Sequence, residues 1–204
     1  MNNIKNYFTD FTETQWQQFA ALKELYDEWN QKINVISRKD MENFYVHHVL
    51  HSLAIATQFE FTEGMEVMDL GSGGGFPGIP LAIYFPGCRF HLVDSINKKL
   101  KVVSEVAAAI GLTNVTTHHG RAEEIKNRKF DAVVSRAVAP LKDLLKWSRP
   151  SLLKGKAEGG LICLKGGDLA REIAESNARP NVWALEEVFI EPFFKDKFLL
   201  QVRV

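Results

Sequence analysis

Val67-Met68-Asp69-Leu70 runs straight into Gly71-Ser72-Gly73-Gly74-Gly75-Phe76-Pro77-Gly78, so five glycines fall within eight residues. Glycine admits positive φ and lets a ligand approach the backbone, at a high conformational cost that a mere turn does not need. Apolar positions at Ile79, Leu81, Ala82, Ile83 and Phe85 predict a helix starting at Phe76 or Pro77, proline being suited to a first helical turn. The free N–H groups of that turn would face whatever lies over the loop. Strand, glycine loop and helix in this order form a nucleotide-type pocket at the carboxyl edge of a parallel sheet. Asp94 ends the next apolar run, twenty-one residues after Gly73, where an acid would grip ribose hydroxyls; the alternative is a solvated carboxylate. Asp69 has two readings. It would suit a cationic ligand, such as a sulfonium bearing an amino group, or it would bind loop amides and hold the glycines in shape.

Gly73, Gly75 and Gly78 also satisfy G-x-G-x-x-G, which keeps a nicotinamide dehydrogenase in play. Asp69 argues against it, because apolar residues normally precede the first glycine of a dinucleotide pocket. The size leaves little room for a separate catalytic domain, and the last strand reads as antiparallel, unlike a six-stranded dinucleotide fold.

The elements that must position these residues show two rhythms. Thr12-Glu13-Thr14-Gln15 reads as a capping box, and Trp16, Phe19, Leu22, Tyr26 and Trp29 follow on one helix face. Asn30 to Ser37 breaks that helix, and Asp40 is the expected cap of a second one carrying Phe44, His47, His48, Leu50, His51 and Ile55. From Glu66 strands and helices alternate. Strands are expected at 89–94, 115–119, 130–135 and 160–164, with helices at 97–110, 141–147 and 168–177. Two closing strands, 187–193 and 198–204, flank the charged turn Lys195-Asp196-Lys197. The result is an α/β fold. Its sheet is doubly wound, mostly parallel and seven-stranded, with an antiparallel last strand. A helical N-terminal part, residues 1–60, precedes one compact unit at 61–204.

The chain has 204 residues, 46% hydrophobic, enough for one large domain with a small appendage. Formal net charge is zero, which does not indicate a globally basic nucleic-acid binder. Lys142, Lys146, Arg149, Lys154, Lys156, Lys165 and Arg171 outnumber Asp143, Glu158 and Asp168 locally, forming either a phosphate-facing patch or an ordinary solvated surface. No apolar run is long enough to span a membrane, and the polar N-terminus lacks a signal-peptide core, so a cytoplasmic protein is expected. Cys88 and Cys163 both sit in apolar surroundings and read as buried reduced thiols.

Taken together, these segments resemble the RsmG family, also called GidB, of bacterial methyltransferases acting on small-subunit ribosomal RNA. The most specific piece is Asp69 to Gly78 followed by Pro80-Leu81-Ala82. Supporting pieces are Trp29-Asn30-Gln31-Lys32-Ile33-Asn34, Val93-Asp94-Ser95 with Lys98-Lys99, Gly120-Arg121-Ala122-Glu123-Glu124, Ser135-Arg136-Ala137 with Pro140-Leu141, and Leu164-Lys165-Gly166-Gly167. The resemblance covers nearly the whole chain and implies a Rossmann-like class I methyltransferase fold. It implies S-adenosylmethionine as donor and methylation of guanine N7 in the decoding-region loop of 16S rRNA, within the small subunit or an assembly intermediate. It places cofactor contacts on Gly71, Phe76, Ala122, Glu123 and Arg136, with Asp94 as the acidic strand end. The chain departs from the family at His47-His48-Val49-Leu50-His51-Ser52-Leu53, where many members have Arg-His-x-x-Asp-Ser-Leu. Any role of that Arg or Asp therefore does not transfer.

Guanine N7 has a lone pair and no proton, so its methylation needs alignment and exclusion of water rather than a general base. Consistent with this, Ser135-Arg136-Ala137-Val138-Ala139-Pro140 stands where amine methyltransferases often carry Asn/Asp-Pro-Pro-aromatic. Cys163, inside an apolar strand, is poorly suited to the nucleophilic role that cytosine-C5 enzymes need. Arg136, at a strand's carboxyl end, is expected to face cofactor or substrate, or else to form a structural salt bridge. Lys165 is a candidate for RNA phosphate or guanine O6, or a surface lysine; Arg121 has a similar, weaker claim. His47 and His51 lack the third ligand a zinc site would require, so no metal is expected. The Trp16, Phe19, Tyr26, Trp29 stripe reads as packing. Two rival functions remain: a methyltransferase of another substrate, and a cofactor-sensing RNA-binding module without turnover.

Overall fold

Apolar runs of four to six residues separated by glycine and charged turns can bury both faces only in the middle of a sheet. In the computed structural model, which describes residues 1–136, 139–156 and 158–204 with Arg38 as backbone, that is where they lie. The strands are β1 (Glu66–Leu70), β2 (Arg89–Asp94), β3 (Val115–His119), β4 (Ala132–Arg136), β5 (Gly160–Gly166), β6 (Asn181–Ala184) and β7 (Lys197–Val202). They form one sheet in the order β3-β2-β1-β4-β5-β7-β6. The first five are parallel; β7 runs antiparallel to both β5 and β6. Strand order reverses between β1 and β4, and in open α/β sheets ligands bind at the carboxyl ends beside such a reversal.

The helices are α1 (Asn2–Lys5), α2 (Glu13–Lys32), α3 (Arg38–Glu42), α4 (His51–Leu53), α5 (Gly78–Tyr84), α6 (Asn97–Ala109), α7 (Leu141–Ser148) and α8 (Ala170–Ser176). The capping box forms as expected: the Thr12 N–H donates to Gln15 Oε1 at 2.9 Å, and the Gln15 N–H to Thr12 Oγ1 at 3.3 Å. Asn30 ends α2 by folding back its side chain. Its Oδ1 accepts from the Val35 and Ile36 amides, and its Nδ2 donates to the Ile36 carbonyl. Among the described residues, no helix is long and apolar enough to cross a membrane.

Three local expectations are corrected. The penultimate strand is β6 at 181–184, not 187–193. In the latter stretch Pro192 has no N–H for a ladder, and Phe189 stacks with Phe194, just beyond it, with centroids 4.4 Å apart inside the core. The second N-terminal helix is capped by Ser37, not Asp40, and is not continuous: α3 gives way to a π-helical turn, Tyr45–Leu50, before α4. Helix α5 begins at Gly78, with Pro77 as its cap residue.

Side chains alternate across each strand, and this alternation sorts the core into two layers. Val67, Phe90, Leu92, Ala132, Val134, Ile162 and Leu164 pack with α2, α5, α6 and the N-terminal helices. Met68, Leu70, Val93, Val133, Leu161 and Cys163 pack with α7 on the other side. The N-terminal helices share the first of these cores with the sheet.

Candidate active site

The strand alternation decides where each candidate side chain points. Asp69 and Arg136 share the parity of Val67 and Val134, so both project toward the N-terminal helices. Lys165 lies one residue beyond the Arg136↔Leu164 pair and projects to the opposite layer.

The glycine loop leaves β1 alongside the end of β2, where the Val93 carbonyl accepts from the Gly71 N–H at 2.9 Å and the Ser72 N–H at 3.1 Å. Asp94 holds the loop from below: its Oδ2 accepts from the Gly73 N–H and its Oδ1 from the Ile96 N–H, each at 2.8 Å. A carboxylate oxygen has two lone pairs, so both oxygens can still accept from a diol. Beside Asp94 opens a cavity of about 310 Å³. Gly71, Ala122 and Glu123, all expected as cofactor contacts, line it together with Asp94. Sequence reasoning missed Ile96, Lys99 and Trp147 on the same wall. Ile96, an apolar residue two positions after Asp94, was the available signal; nothing in the sequence brings Trp147 of α7 to β2.

The other expected residues shape the loop rather than the cavity. Gly73 serves through its amide. Gly75 has φ of +96°, and a Cβ there would stand 2.8 Å from Ile79 and 3.2 Å from the Tyr26 hydroxyl. That hydroxyl donates to the Gly74 carbonyl at 2.5 Å, so Tyr26, read as packing, also ties α2 to the loop. Phe76 is buried with its ring 5.0 Å from Tyr26 and 5.1 Å from His48.

Asp69 takes the second of its two readings: its Oδ2 accepts from the Gly78 N–H at 2.8 Å. The first helical amide, expected to face a ligand, is thereby occupied. A Cβ on Gly78 would lie 2.7 Å from that oxygen, which accounts for the glycine. Asp69 is wholly buried, and burial pushes its carboxyl up to about 7 against the pull of the Gly78 amide and of Arg136. Its Oδ1 has no hydrogen-bond partner, nor has Ser72 Oγ in the loop above. An unpaired buried carboxylate oxygen invites a cationic donor. An acid lining the cavity, the cavity's place at the switch point and this unpaired acceptor beside the glycine loop together fit S-adenosylmethionine.

Arg136 forms no salt bridge among the described residues. Its Nη1 donates to the His47 carbonyl at 3.2 Å, its Nη2 meets His48 Nδ1 at 2.9 Å, and its guanidinium lies 5.1 Å from the Phe76 centroid. Burial lowers it to about 10, partly offset by Asp69. Ala137 and Val138, which follow it in the segment read from sequence, lie outside the described residues. Lys165 is 7% exposed and so is not a surface lysine. Its ammonium group pairs with Glu172 at 2.6 Å and donates to the Ala139 carbonyl. Arg121 stays exposed at the cavity rim. His47 stacks on Phe193 at 4.1 Å and bonds Asp40, while His51 packs edge-on to Phe193 and Phe194. Burial pushes the thiols of Cys88 and Cys163 up to about 11 and about 12, values that suit structural thiols.

Sheet order, glycine loop and acidic strand tip define a Rossmann-like methyltransferase. Solved structures share the fold. A point mutant of MtNAS in complex with S-adenosylmethionine superposes with a TM-score of 0.61 at 15% identity, covering 93% of this chain and 76% of that one. A precorrin-6y C5,15-methyltransferase from Geobacter metallireducens gives 0.57 at 10% identity, covering 84% and 92%. A family model described as rRNA small subunit methyltransferase G, GidB, matches residues 15–199. Relatives named ribosomal RNA small subunit methyltransferase G are 56% identical in Bacteroides fragilis, over all of both chains, and 47% in Cytophaga hutchinsonii, over 99% of each. The chain belongs to the rRNA small subunit methyltransferase G (GidB) family.

Proposed function

We propose that this protein is the S-adenosylmethionine-dependent methyltransferase of its family's ribosomal substrate, adding a methyl group to N7 of a guanine in the decoding-region loop of 16S rRNA. The observation that carries this reading is the Asp94 carboxylate, held by the Gly73 and Ile96 amides at the mouth of a cavity lined by Gly71, Ala122 and Glu123. The donor supplies an electrophilic methyl on a sulfonium.

The chain's own residues bind, orient and exclude water. Asp94 accepts from the ribose hydroxyls, while Gly71, Ala122 and Glu123 line the nucleoside's wall. Asp69, with one oxygen on Gly78 and one free, faces the cationic end and keeps the glycine loop in register. Gly73 and Gly75 give the loop its turn, and Phe76 seals it against the N-terminal helices. Arg136 presents its remaining N–H groups at the loop's edge. Lys165 supports the site indirectly, through Glu172 and the Ala139 carbonyl. No proton leaves guanine N7, so alignment and dryness suffice and no general base is required. Residues 1–60 act as a helical cap on the methyltransferase unit at 61–204, and the reaction takes place in the cytoplasm on the small subunit or an assembly intermediate of it.

The test is to map N7-methylguanosine in 16S rRNA from cells with and without the gene, alongside labelled methyl transfer to isolated small subunits. Loss of one decoding-region methylation with the gene, restored by the purified protein, is expected. Identical maps would refute the substrate, and transfer to protein or metabolite pools instead would favour another methyltransferase activity.

A further inference from the structure

The π-helical turn Tyr45–Leu50 has a consequence at Arg136. In a regular α-helix the His51 N–H would donate to the His47 carbonyl. Here it points to the carbonyls of Val46 and His48 instead. The His47 carbonyl thus does not receive the His51 N–H, and Arg136 Nη1 donates to it at 3.2 Å. One residue on, His48 Nδ1 meets Arg136 Nη2 at 2.9 Å. A guanidinium has only donors, so Nδ1 must be the acceptor; the imidazole is then neutral with its proton on Nε2. The ring is held by stacking against Phe44 and by Phe76, 5.1 Å away, and the Ser52 hydroxyl donates to the His48 carbonyl at 2.6 Å.

A packing role alone does not explain a histidine at this position. His48 Nε2 is buried without a hydrogen-bond partner, and a buried N–H left unpaired is destabilising. Phenylalanine would fill the same aromatic niche without that cost. What histidine adds is the acceptor at Nδ1.

We infer that His48 is a positioning residue for methyl transfer: together with the His47 carbonyl, its Nδ1 holds the Arg136 guanidinium against the glycine loop. Two of five N–H donors are thereby fixed, and the rest are aimed before the donor arrives. A preset guanidinium loses less freedom on binding, which favours affinity. This rests on the reading of Arg136 as a site residue.

The test measures binding of S-adenosylhomocysteine by calorimetry to wild type, His48→Phe, His48→Asn, His48→Gln and Arg136→Ala, with thermal midpoints. Phenylalanine keeps the ring and loses the acceptor. Asparagine places an amide oxygen near the Nδ1 position, whereas glutamine reaches toward Nε2. His48→Phe removes the unpaired Nε2–H but strands an N–H of Arg136, so its thermal midpoint should stay near or fall below that of wild type, while binding weakens by about tenfold or more as the guanidinium loses its anchor. His48→Asn should recover most of the affinity and His48→Gln should not. If His48→Phe does not fold, the Asn and Gln pair decides alone: Asn binding no better than Gln would overturn the inference. Wild-type affinity in His48→Phe would overturn it as well. Arg136→Ala separates the two readings. If it binds like wild type, Arg136 is not a site residue; if it is weak while His48→Phe is normal, only the positioning role fails.

Discussion

Asp69 is the residue with most to reveal about the loop. It offers one oxygen to the Gly78 amide and keeps the other unpaired in a fully buried place. Asparagine is nearly isosteric and can keep the Gly78 contact through its own oxygen, whereas alanine leaves that amide unpaired beside a void. Asp69→Ala should therefore lower unfolding free energy by about 1–3 kcal/mol, the cost of a buried unsatisfied group, and Asp69→Asn by clearly less. Both should weaken donor binding, since neither offers a carboxylate to the cation. Urea denaturation with calorimetry measures the two effects, and equal destabilisation by both variants would rule out the amide-anchoring role.

At the scale of the element, α2 reaches the loop through one hydroxyl. Tyr26 is completely buried and donates to the Gly74 carbonyl, so the longest helix of the N-terminal part is tied to the turn that shapes the pocket. Tyr26→Phe removes only that oxygen. It should cost about 1–3 kcal/mol through the stranded carbonyl and weaken S-adenosylhomocysteine binding by loosening the loop. Unchanged affinity alongside the stability loss would mean that α2 supports the fold but not the site. Strand alternation also separates Arg136 from Lys165. Both stand at carboxyl ends of neighbouring strands, yet they face opposite layers, and only Arg136 meets the N-terminal helices.

Across the whole molecule, several imidazoles are kept neutral by their surroundings. Burial lowers His48 to about 3, with Arg136 and His47 pushing the same way and Asp40 opposing. It lowers His91 to about 4, with Arg128 and His118 helping and Glu66 opposing, and it holds His51 well below the ordinary range. The unfolded chain takes up these protons near the ordinary value of about 6.5. Between about 6.5 and 4 the unfolded state thus binds more protons than the folded one, and stability falls as pH falls. Asp69, raised to about 7, works in the opposite direction, but as one carboxyl against three imidazoles. The urea midpoint should be lower at pH 5.5 than at pH 7.5. A midpoint that stays level or rises on acidification would mean that these rings are solvated and free to charge.

Read from the sequence alone, the periodicities were enough for the parallel sheet and its helices, because alternation and helical spacing are local properties of the chain. That the glycine loop and Asp94 meet at one edge of the sheet was legible for a similar reason: a strand, a turn needing positive φ and a strand-tip acid all lie within some thirty residues. The misplaced penultimate strand shows the limit, since Glu187 to Phe193 is rich in apolar residues but holds Pro192, and its Phe189 stacks with Phe194 in the core. Only the tertiary structure decided which face each strand-end residue occupies relative to distant helices. It joined His48 to Arg136, Tyr26 to Gly74 and Lys165 to Glu172. Such pairings depend on register and packing between segments far apart in the chain, where no local pattern carries the information.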